Sequence, residues 1–252
     1  MAGCAALGLA VGLFLNVLID RVPPKQALFP PRFRCPRCPE EVTDAPGLPL
    51  GRWLRPGGRC PVCGHSLPLR YLLVPVANAL LFWAAAVRIG PDWALPAYLV
   101  FFAALLAISV IDFQLQIIPN RIVYPAIFAS IPLLALAALA EHDFSRLGRA
   151  LAGAALAWLG LLLIHLISPS GMGFGDVRLA FLLGLFLGWL SYSHVVSGLF
   201  LGFLLGAVIG VILVVLRLRS RSDHVPFGPF LAAGSALAVL VGDPVIRVWL
   251  GT

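Results

Sequence analysis

Charged residues are scarce in this chain, and their scarcity excludes a water-soluble protein. Only 12% of the 252 residues are Asp, Glu, Lys or Arg, whereas 60% are hydrophobic and the mean hydropathy is +0.97. Soluble domains carry about 25% charged residues. No soluble core of this length needs so much Leu, Ala, Val and Phe, so the composition predicts an all-α polytopic membrane protein with lipid as its solvent.

The apolar runs contain few polar residues and reach the roughly 20 residues that a membrane span requires. The first run lacks both the basic segment and the small-residue cleavage site of a signal peptide, because Asp20-Arg21-Val22-Pro23-Pro24 follows it. We therefore expect it to be retained. Hydropathy predicts about eight transmembrane helices, near residues 3–19, 71–87, 95–111, 122–140, 149–167, 177–192, 195–216 and 226–241.

Basic residues are few on one side of the predicted membrane. If residues 21–70 are cytoplasmic, only Arg88, Arg146, Arg149 and Arg247 of the 18 Lys and Arg residues fall on the opposite side. This positive-inside bias predicts an inner-membrane protein with a basic cytoplasmic face. Topology thus accounts for the net charge of +7 without nucleic-acid binding. The partners expected from charge alone are anionic lipid headgroups and acidic substrate segments.

Residues 21–70 lack a sustained helical period and contain four of the five cysteines. Cys35-Pro-Arg-Cys38 and Cys60-Pro-Val-Cys63 are two Cys-x2-Cys pairs, the spacing of a structural zinc site with four thiolate ligands. Disulfides are the alternative, but a cytoplasmic segment lies in a reducing compartment. A short segment with so few large apolar residues also needs a cross-link of some kind to fold. The pattern predicts a small zinc-knuckle insert.

The chain therefore divides into three predicted parts. Residues 1–20 form the first transmembrane helix, residues 21–70 the cytoplasmic four-cysteine insert, and residues 71–252 a transmembrane bundle. The other predicted loops are short, which favours a compact bundle of antiparallel helices.

Most of the 11 acidic residues lie in predicted loops, but two lie at the ends of apolar runs. Asp112 ends the run 103–111, and Asp176 opens the run 177–183; both fall at the predicted cytoplasmic edge. Ionisable residues at membrane depth are costly and are retained mostly for function. At the edge the cost is smaller, and either residue could instead end or cap a helix. Position alone leaves both interpretations open.

The approach to Asp176 lacks bulky side chains. Gly171-Met172-Gly173-Phe174-Gly175-Asp176 gives the backbone conformations that other residues cannot adopt, and it lets main chain approach a substrate closely. Asp112 is followed by a short loop that turns at Pro119.

Five ordered motifs resemble those of the type IV prepilin peptidases, a family of membrane aspartyl peptidases. Gly173-Phe174-Gly175-Asp176 matches their Gly-x-Gly-Asp motif. The other four segments also occur in the order that the bacterial members have, and the five together extend from residue 12 to residue 231. They are Gly12 to Pro23, the two cysteine pairs, Ile111-Asp112 through Pro119-Asn120, and Phe227-Gly228-Pro229-Phe230-Leu231. The sequence departs from the family at Arg178, often Lys, and at Asn120, often acidic.

The resemblance implies an endopeptidase that removes the N-terminal leader from type IV prepilin or pseudopilin precursors at the cytoplasmic face. It assigns catalysis to Asp112 and Asp176, and we expect Gly173, Gly175 and Arg178 to contact substrate. Two neighbouring carboxylates share a proton. The ionised one then acts as a base on water, while the protonated one donates to the scissile carbonyl. Arg178 has two interpretations, a contact to an acidic substrate group or a positive-inside anchor.

Many bacterial relatives also N-methylate the new terminus with S-adenosylmethionine. This sequence lacks a glycine-rich dinucleotide-type motif, so it provides no separate methyl-donor site, and bifunctionality stays open.

Two other classes compete with a peptidase. One is a transporter or scaffold with the aspartates as proton or cation ligands and prolines as helix breaks; the other is a non-catalytic assembly subunit. No acidic residue lies near the middle of a predicted span, which disfavours the transporter. His165, in the fifth span, is interpreted as a hydrogen-bonded packing residue. Close helix packing is predicted at Gly153, Gly160, Gly184, Gly188, Gly198, Gly202, Gly206 and Gly210.

Overall fold

The computed structural model of the chain describes residues 1–25, 68–169, 171–216 and 226–250, with side chains up to residue 242. These residues form eight α-helices and no β-strand. The helices are α1 (Ala2–Arg21), α2 (Arg70–Ile89), α3 (Leu95–Leu115), α4 (Asn120–Ala140), α5 (Phe144–Ile167), α6 (Phe174–Leu190), α7 (Tyr192–Val215) and α8 (Gly228–Leu250). The chain divides into two compact units, residues 1–87 and 88–252.

Six of these helices, α1 to α5 and α7, are long and apolar enough to cross a membrane. Helix α6 has only 17 residues, and the apolar part of α8 ends at Gly242. The all-helical, multi-span class is thus confirmed, while the count of eight spans stays a prediction. The predicted zinc ligands Cys35, Cys38, Cys60 and Cys63 lie outside the described residues, as does most of the predicted insert.

The first unit is a pair of closely packed helices. A Cβ at Gly8 would lie 2.8 Å from Ala79 Cα, so glycine lets α1 approach the backbone of α2. Buried amides connect the same helices, since Asn78 Nδ2 donates to the Gly8 carbonyl oxygen at 2.7 Å. Asn16 Nδ2 donates to the Tyr71 carbonyl oxygen at 3.2 Å. These bonds satisfy polar groups that lipid would leave unpaired.

Within the second unit, α5 packs along α6 through glycines. A Cβ at Gly153 would lie 2.7 Å from the Gly184 carbonyl oxygen and 2.8 Å from Gly188 Cα. The predicted close packing is confirmed at these three positions, where small residues bring backbones together. It is wrong at Gly160 and Gly210, where a Cβ would have no described heavy atom within 4 Å.

Aromatic residues fix α3 against α6. The Phe101 and Phe186 rings stack with their centroids 4.3 Å apart, and the Tyr98 hydroxyl donates to the Phe186 carbonyl oxygen at 3.0 Å. Tyr98 is near the beginning of α3, whereas Phe186 is near the end of α6, so the two helices run antiparallel. The end of α3 and the beginning of α6 therefore lie at the same end of this unit, and each carries one of the predicted catalytic aspartates.

Candidate active site

Asp112 and Asp176 line one cavity of about 390 Å³. Asp112 lies in the last turn of α3 and Asp176 in the first turn of α6. Both side chains are buried, with 4% and 6% of their surface exposed. The structure brings Gly173, Gly175 and Arg178 to the same cavity, so all five predicted peptidase residues are together. The remaining lining residues are Gln116, Ile117, Ile118, Gly171, Pro226 and Phe227.

The Asp112 carboxylate is held by the beginning of α8. The Gly228 N–H donates to Asp112 Oδ2 at 3.1 Å. The first N–H groups of a helix have no partner within that helix, and its positive end favours an anion. A Cβ at Gly228 would lie only 2.7 Å from Asp112 Oδ2 and 3.0 Å from Ile118 Cδ1. Only glycine fits between this carboxylate and Ile118 without displacing one of them.

Gly228 is the residue whose role sequence reasoning missed. The resemblance covers its block, Phe227 to Leu231, but predicts no contact between Gly228 and Asp112. The available signal was local: a single glycine followed by proline, among bulky aromatic residues, at the beginning of an apolar run.

Asp176 is held by the glycine-rich loop. Gly173 is the N-cap of α6, and the Asp176 N–H donates to the Gly173 carbonyl oxygen at 3.1 Å. A Cβ at Gly175 would lie 2.9 Å from Ile118 Cβ, so this glycine lets the loop approach the segment after α3. Asp176 Oδ1 is buried and accepts no hydrogen bond from any residue that the structure describes. This oxygen therefore has no donor among the described residues.

His165 supports the loop from α5. Its Nδ1 lies 2.8 Å from the Met172 carbonyl oxygen, and its ring centroid lies 5.5 Å from that of Phe174. The carbonyl oxygen can only accept, so Nδ1 carries the proton. The predicted hydrogen-bonded packing role is confirmed, and its partner is the loop that precedes Asp176.

Arg178 has two partners within the protein. Its Nη1 donates to Asn120 Oδ1 at 2.5 Å, and its Cζ lies 4.6 Å from the centroid of the Phe174 ring. The hydrogen bond joins the beginning of α6 to the beginning of α4, whereas the ring contact lies within α6. Asn120, a position where the family often has an acidic residue, accepts this bond as a neutral amide. The predicted contact between Arg178 and substrate stays a prediction.

The residues that the structure describes include no group of three or more His, Cys, Asp or Glu side chains placed to hold a metal ion. The four cysteines predicted to bind zinc lie outside those residues, so the structure does not test that site. The cavity is lined by two carboxylates. One is fixed by a helix N-terminus, and the other has an oxygen without a described partner. Such a pair suits acid–base chemistry on a bound water.

Comparison with known families gives two adjoining matches. Residues 6–89 match the bacterial peptidase A24 N-terminal domain, and residues 99–215 match the type IV leader peptidase family. The second match contains both Asp112 and Asp176.

Individual curated proteins match over nearly the whole chain. A prepilin leader peptidase/N-methyltransferase of Pseudomonas aeruginosa is 35% identical, over 97% of this chain and 91% of its own length. Proteins of the same name from Bacillus subtilis and Aeromonas hydrophila are 33% and 32% identical. These two alignments each cover 96% of this chain, and 95% and 91% of the respective relatives. No solved structure matches the chain significantly.

Proposed function

We propose that this chain, which belongs to the type IV leader peptidase family, is an aspartyl endopeptidase that removes the N-terminal leader from type IV prepilin-like precursors. The observation that carries the proposal is the meeting of Asp112 and Asp176 on one cavity. The family relatives supply the substrate class, and the two buried carboxylates supply a chemistry that can hydrolyse a peptide bond.

The proposed mechanism needs one ionised and one protonated carboxyl group. The ionised group takes a proton from a water molecule as that water attacks the scissile carbonyl carbon, and the protonated group donates to the carbonyl oxygen. The two groups exchange roles when the amine leaves. The Asp176 carboxylate lines the cavity beside Asp112, where one of the pair can take the proton of the water. The Gly228 N–H keeps Asp112 in place throughout.

Access to the site follows from its place in the fold. Both aspartates lie at helix ends, where a span reaches the membrane surface, and the bias of basic residues predicts that this end is cytoplasmic. A precursor with a short leader and an apolar helix would reach the cavity by lateral diffusion within the inner membrane. In this arrangement residues 71–252 form the peptidase bundle, and residues 21–70 form the insert.

Two accessory features belong to the proposal. Structural zinc would be held by Cys35, Cys38, Cys60 and Cys63, and the metal content of the purified chain with and without Cys60→Ser tests this. Methyl transfer from S-adenosylmethionine is the activity that the relatives' names add. Buried Asn16 lies in the first family motif and donates to the Tyr71 carbonyl oxygen. Methylation of the cleaved product by wild type and Asn16→Leu tests that role.

Co-expression with a prepilin tests the peptidase directly. Wild type should remove the leader, whereas Asp112→Asn and Asp176→Asn should leave the precursor at full length, because an amide can neither give nor take the proton. Asp143→Asn is the matched control, since Asp143 caps α5 away from the cavity and asparagine caps equally well. Processing by either active-site variant at the wild-type rate would rule out this assignment, as would failure of wild type to cleave.

A further inference from the structure

Ile118 contacts the backbone on both sides of the candidate active site. A Cβ at Gly175, the residue before Asp176, would lie 2.9 Å from Ile118 Cβ, 3.4 Å from its Cγ1 and 3.5 Å from its Cδ1. A Cβ at Gly228, whose N–H holds Asp112, would lie 3.0 Å from Ile118 Cδ1. One side chain therefore packs against the supports of both carboxylates, and it lines the cavity that they share.

The backbone of Ile118 is restricted by the residues on either side of it. Helix α3 ends at Leu115, and Gln116 then adopts a left-handed φ of 54° while its N–H donates to the Asp112 carbonyl oxygen at 2.9 Å. Pro119 follows Ile118 and is the N-cap of α4. A residue before proline is confined to extended conformations, and a β-branched side chain has few χ1 rotamers. Ile118 is thus a stiff side chain on a short, constrained segment.

Both glycines bring their backbone unusually close to this side chain. Carbon atoms in favourable contact lie about 3.5–4.0 Å apart, so a Cβ at either glycine would be too close to Ile118. The bare backbone at these two positions packs directly against the isoleucine, with no side chain of its own that could adjust. A change at Ile118 therefore alters the environment of the backbone next to Asp176 and of the N–H that donates to Asp112.

We propose that Ile118 is a positioning residue, which sets the separation of the two carboxyl groups by holding the Gly175 and Gly228 backbones at a fixed distance. Its catalytic consequence rests on the proposed function, because two carboxyl groups that share a proton must lie at a defined separation. The side chain is apolar and cannot exchange a proton, so it acts only through Asp112 and Asp176. A residue with only a structural role would change stability and activity in parallel, whereas a positioning residue changes the catalytic step more.

Ile118→Ala tests the inference in the full-length protein. The variant keeps Cβ, at the Gly175 contact, but loses Cδ1, the atom that contacts Gly228. The two carboxyl groups then gain freedom, so kcat for prepilin cleavage should fall about tenfold with little change in KM. Ile127→Ala is the matched control, because Ile127 is buried in α4 and is not among the described residues that line the cavity. It should lower the unfolding temperature but leave kcat at the wild-type value.

Two conservative variants complete the series, and they also serve if Ile118→Ala does not fold. Ile118→Val removes only Cδ1, so the contact to Gly228 is lost while Cβ and Cγ1 still pack against Gly175. Its kcat should fall about threefold, with an unfolding temperature close to that of wild type. Ile118→Leu, which again has a carbon at the δ position, should retain most of the wild-type rate.

Cross-linking measures the separation without peptidase activity. The full-length chain with Asp112→Cys and Asp176→Cys is treated with thiol cross-linkers of two fixed lengths, and mass spectrometry quantifies the linked peptides. With Ile118 in place, one length should be clearly preferred. With Ile118→Ala this preference should fall about threefold, because the two positions are no longer held at one distance.

The inference requires both the lower kcat and the weaker length preference in Ile118→Ala, and the absence of either would overturn it. It is also overturned if Ile118→Ala and Ile127→Ala lose kcat in the same proportion to their loss of stability. If wild type fails to cleave prepilin, the proposed function fails, whereas the cross-linking result still decides whether Ile118 sets the separation of the two carboxyl groups.

Discussion

Asp112 and Asp176 line the same cavity but are held in different ways. Asp112 extends from a long continuous helix and accepts a hydrogen bond from the N-terminus of α8. Asp176 follows a glycine-rich loop, and one of its oxygens has no described protein partner. The first carboxylate is positioned by contact between helices, whereas the second depends on the conformation of a loop.

This difference suggests different tolerances to mutation around the two residues. Gly228 contacts the Asp112 carboxylate directly, and the site has no space for a Cβ at position 228. The supports of Asp176 act through the loop, which can redistribute a small change over several residues. Substitutions near Asp112 should therefore reduce activity more than substitutions that remove one support of the loop.

The largest effect in this comparison is expected for Gly228→Ala. The new Cβ would lie 2.7 Å from Asp112 Oδ2, so the carboxylate or the beginning of α8 must move. A displacement of about 1 Å at a reacting group costs about a hundredfold in rate. The prepilin cleavage rate of the purified protein measures this loss. Gly210→Ala is the control, because its Cβ would meet no described atom within 4 Å, and it should cleave like wild type. Equal rates for the two variants would contradict the inferred role of Gly228.

The contact between Gly228 and Asp112 illustrates what the sequence can and cannot predict. The all-helical class follows from composition, because lipid requires each backbone polar group to be satisfied within its own segment. Asp176 is marked by a local motif. The bond between Gly228 and Asp112 joins residues 116 positions apart, so no local pattern contains it. It depends on how α3 and α8 pack, which hydropathy does not specify.

The packing glycines show the same limit. Gly153 and Gly160 both lie in α5, and both fit a pattern of small residues in an apolar run. Only Gly153 faces α6 closely. Helices that are apolar on every side carry little information about which face meets a neighbour. The face is therefore determined by the assembled bundle, and the sequence alone predicted one of these two residues wrongly.

A smaller effect is expected at His165, which supports the loop of Asp176. His165→Leu removes the hydrogen bond to the Met172 carbonyl oxygen, and His165→Asn places an amide donor at the position of Nδ1. Loss of one neutral hydrogen bond costs about 1 kcal/mol. This loss corresponds to about a fivefold slower cleavage if the loop positions Asp176 in the transition state.

The expected signature is a lower kcat with an unchanged KM in His165→Leu, and recovery of most of the rate in His165→Asn. Thermal unfolding of both variants separates positioning from general destabilisation. If both variants lose stability and activity in parallel, His165 has only a structural role.

The smallest effect is expected at the pair of Arg178 and Asn120, which is exposed and joins α6 to α4. Exposed polar pairs contribute about 1 kcal/mol or less. Asn120→Ala removes the partner of Arg178 but leaves its positive charge at the cavity, whereas Arg178→Gln removes the charge itself. If Arg178 contacts an acidic group of the substrate, Arg178→Gln should raise KM about threefold, and Asn120→Ala should leave KM unchanged. Steady-state cleavage at varied prepilin concentration measures both values.

Equal, small changes of KM in the two variants would instead assign Arg178 to support of the loop. In that case, wild type and Arg178→Gln should cleave equally well a substrate whose acidic group near the cleavage site is neutralised.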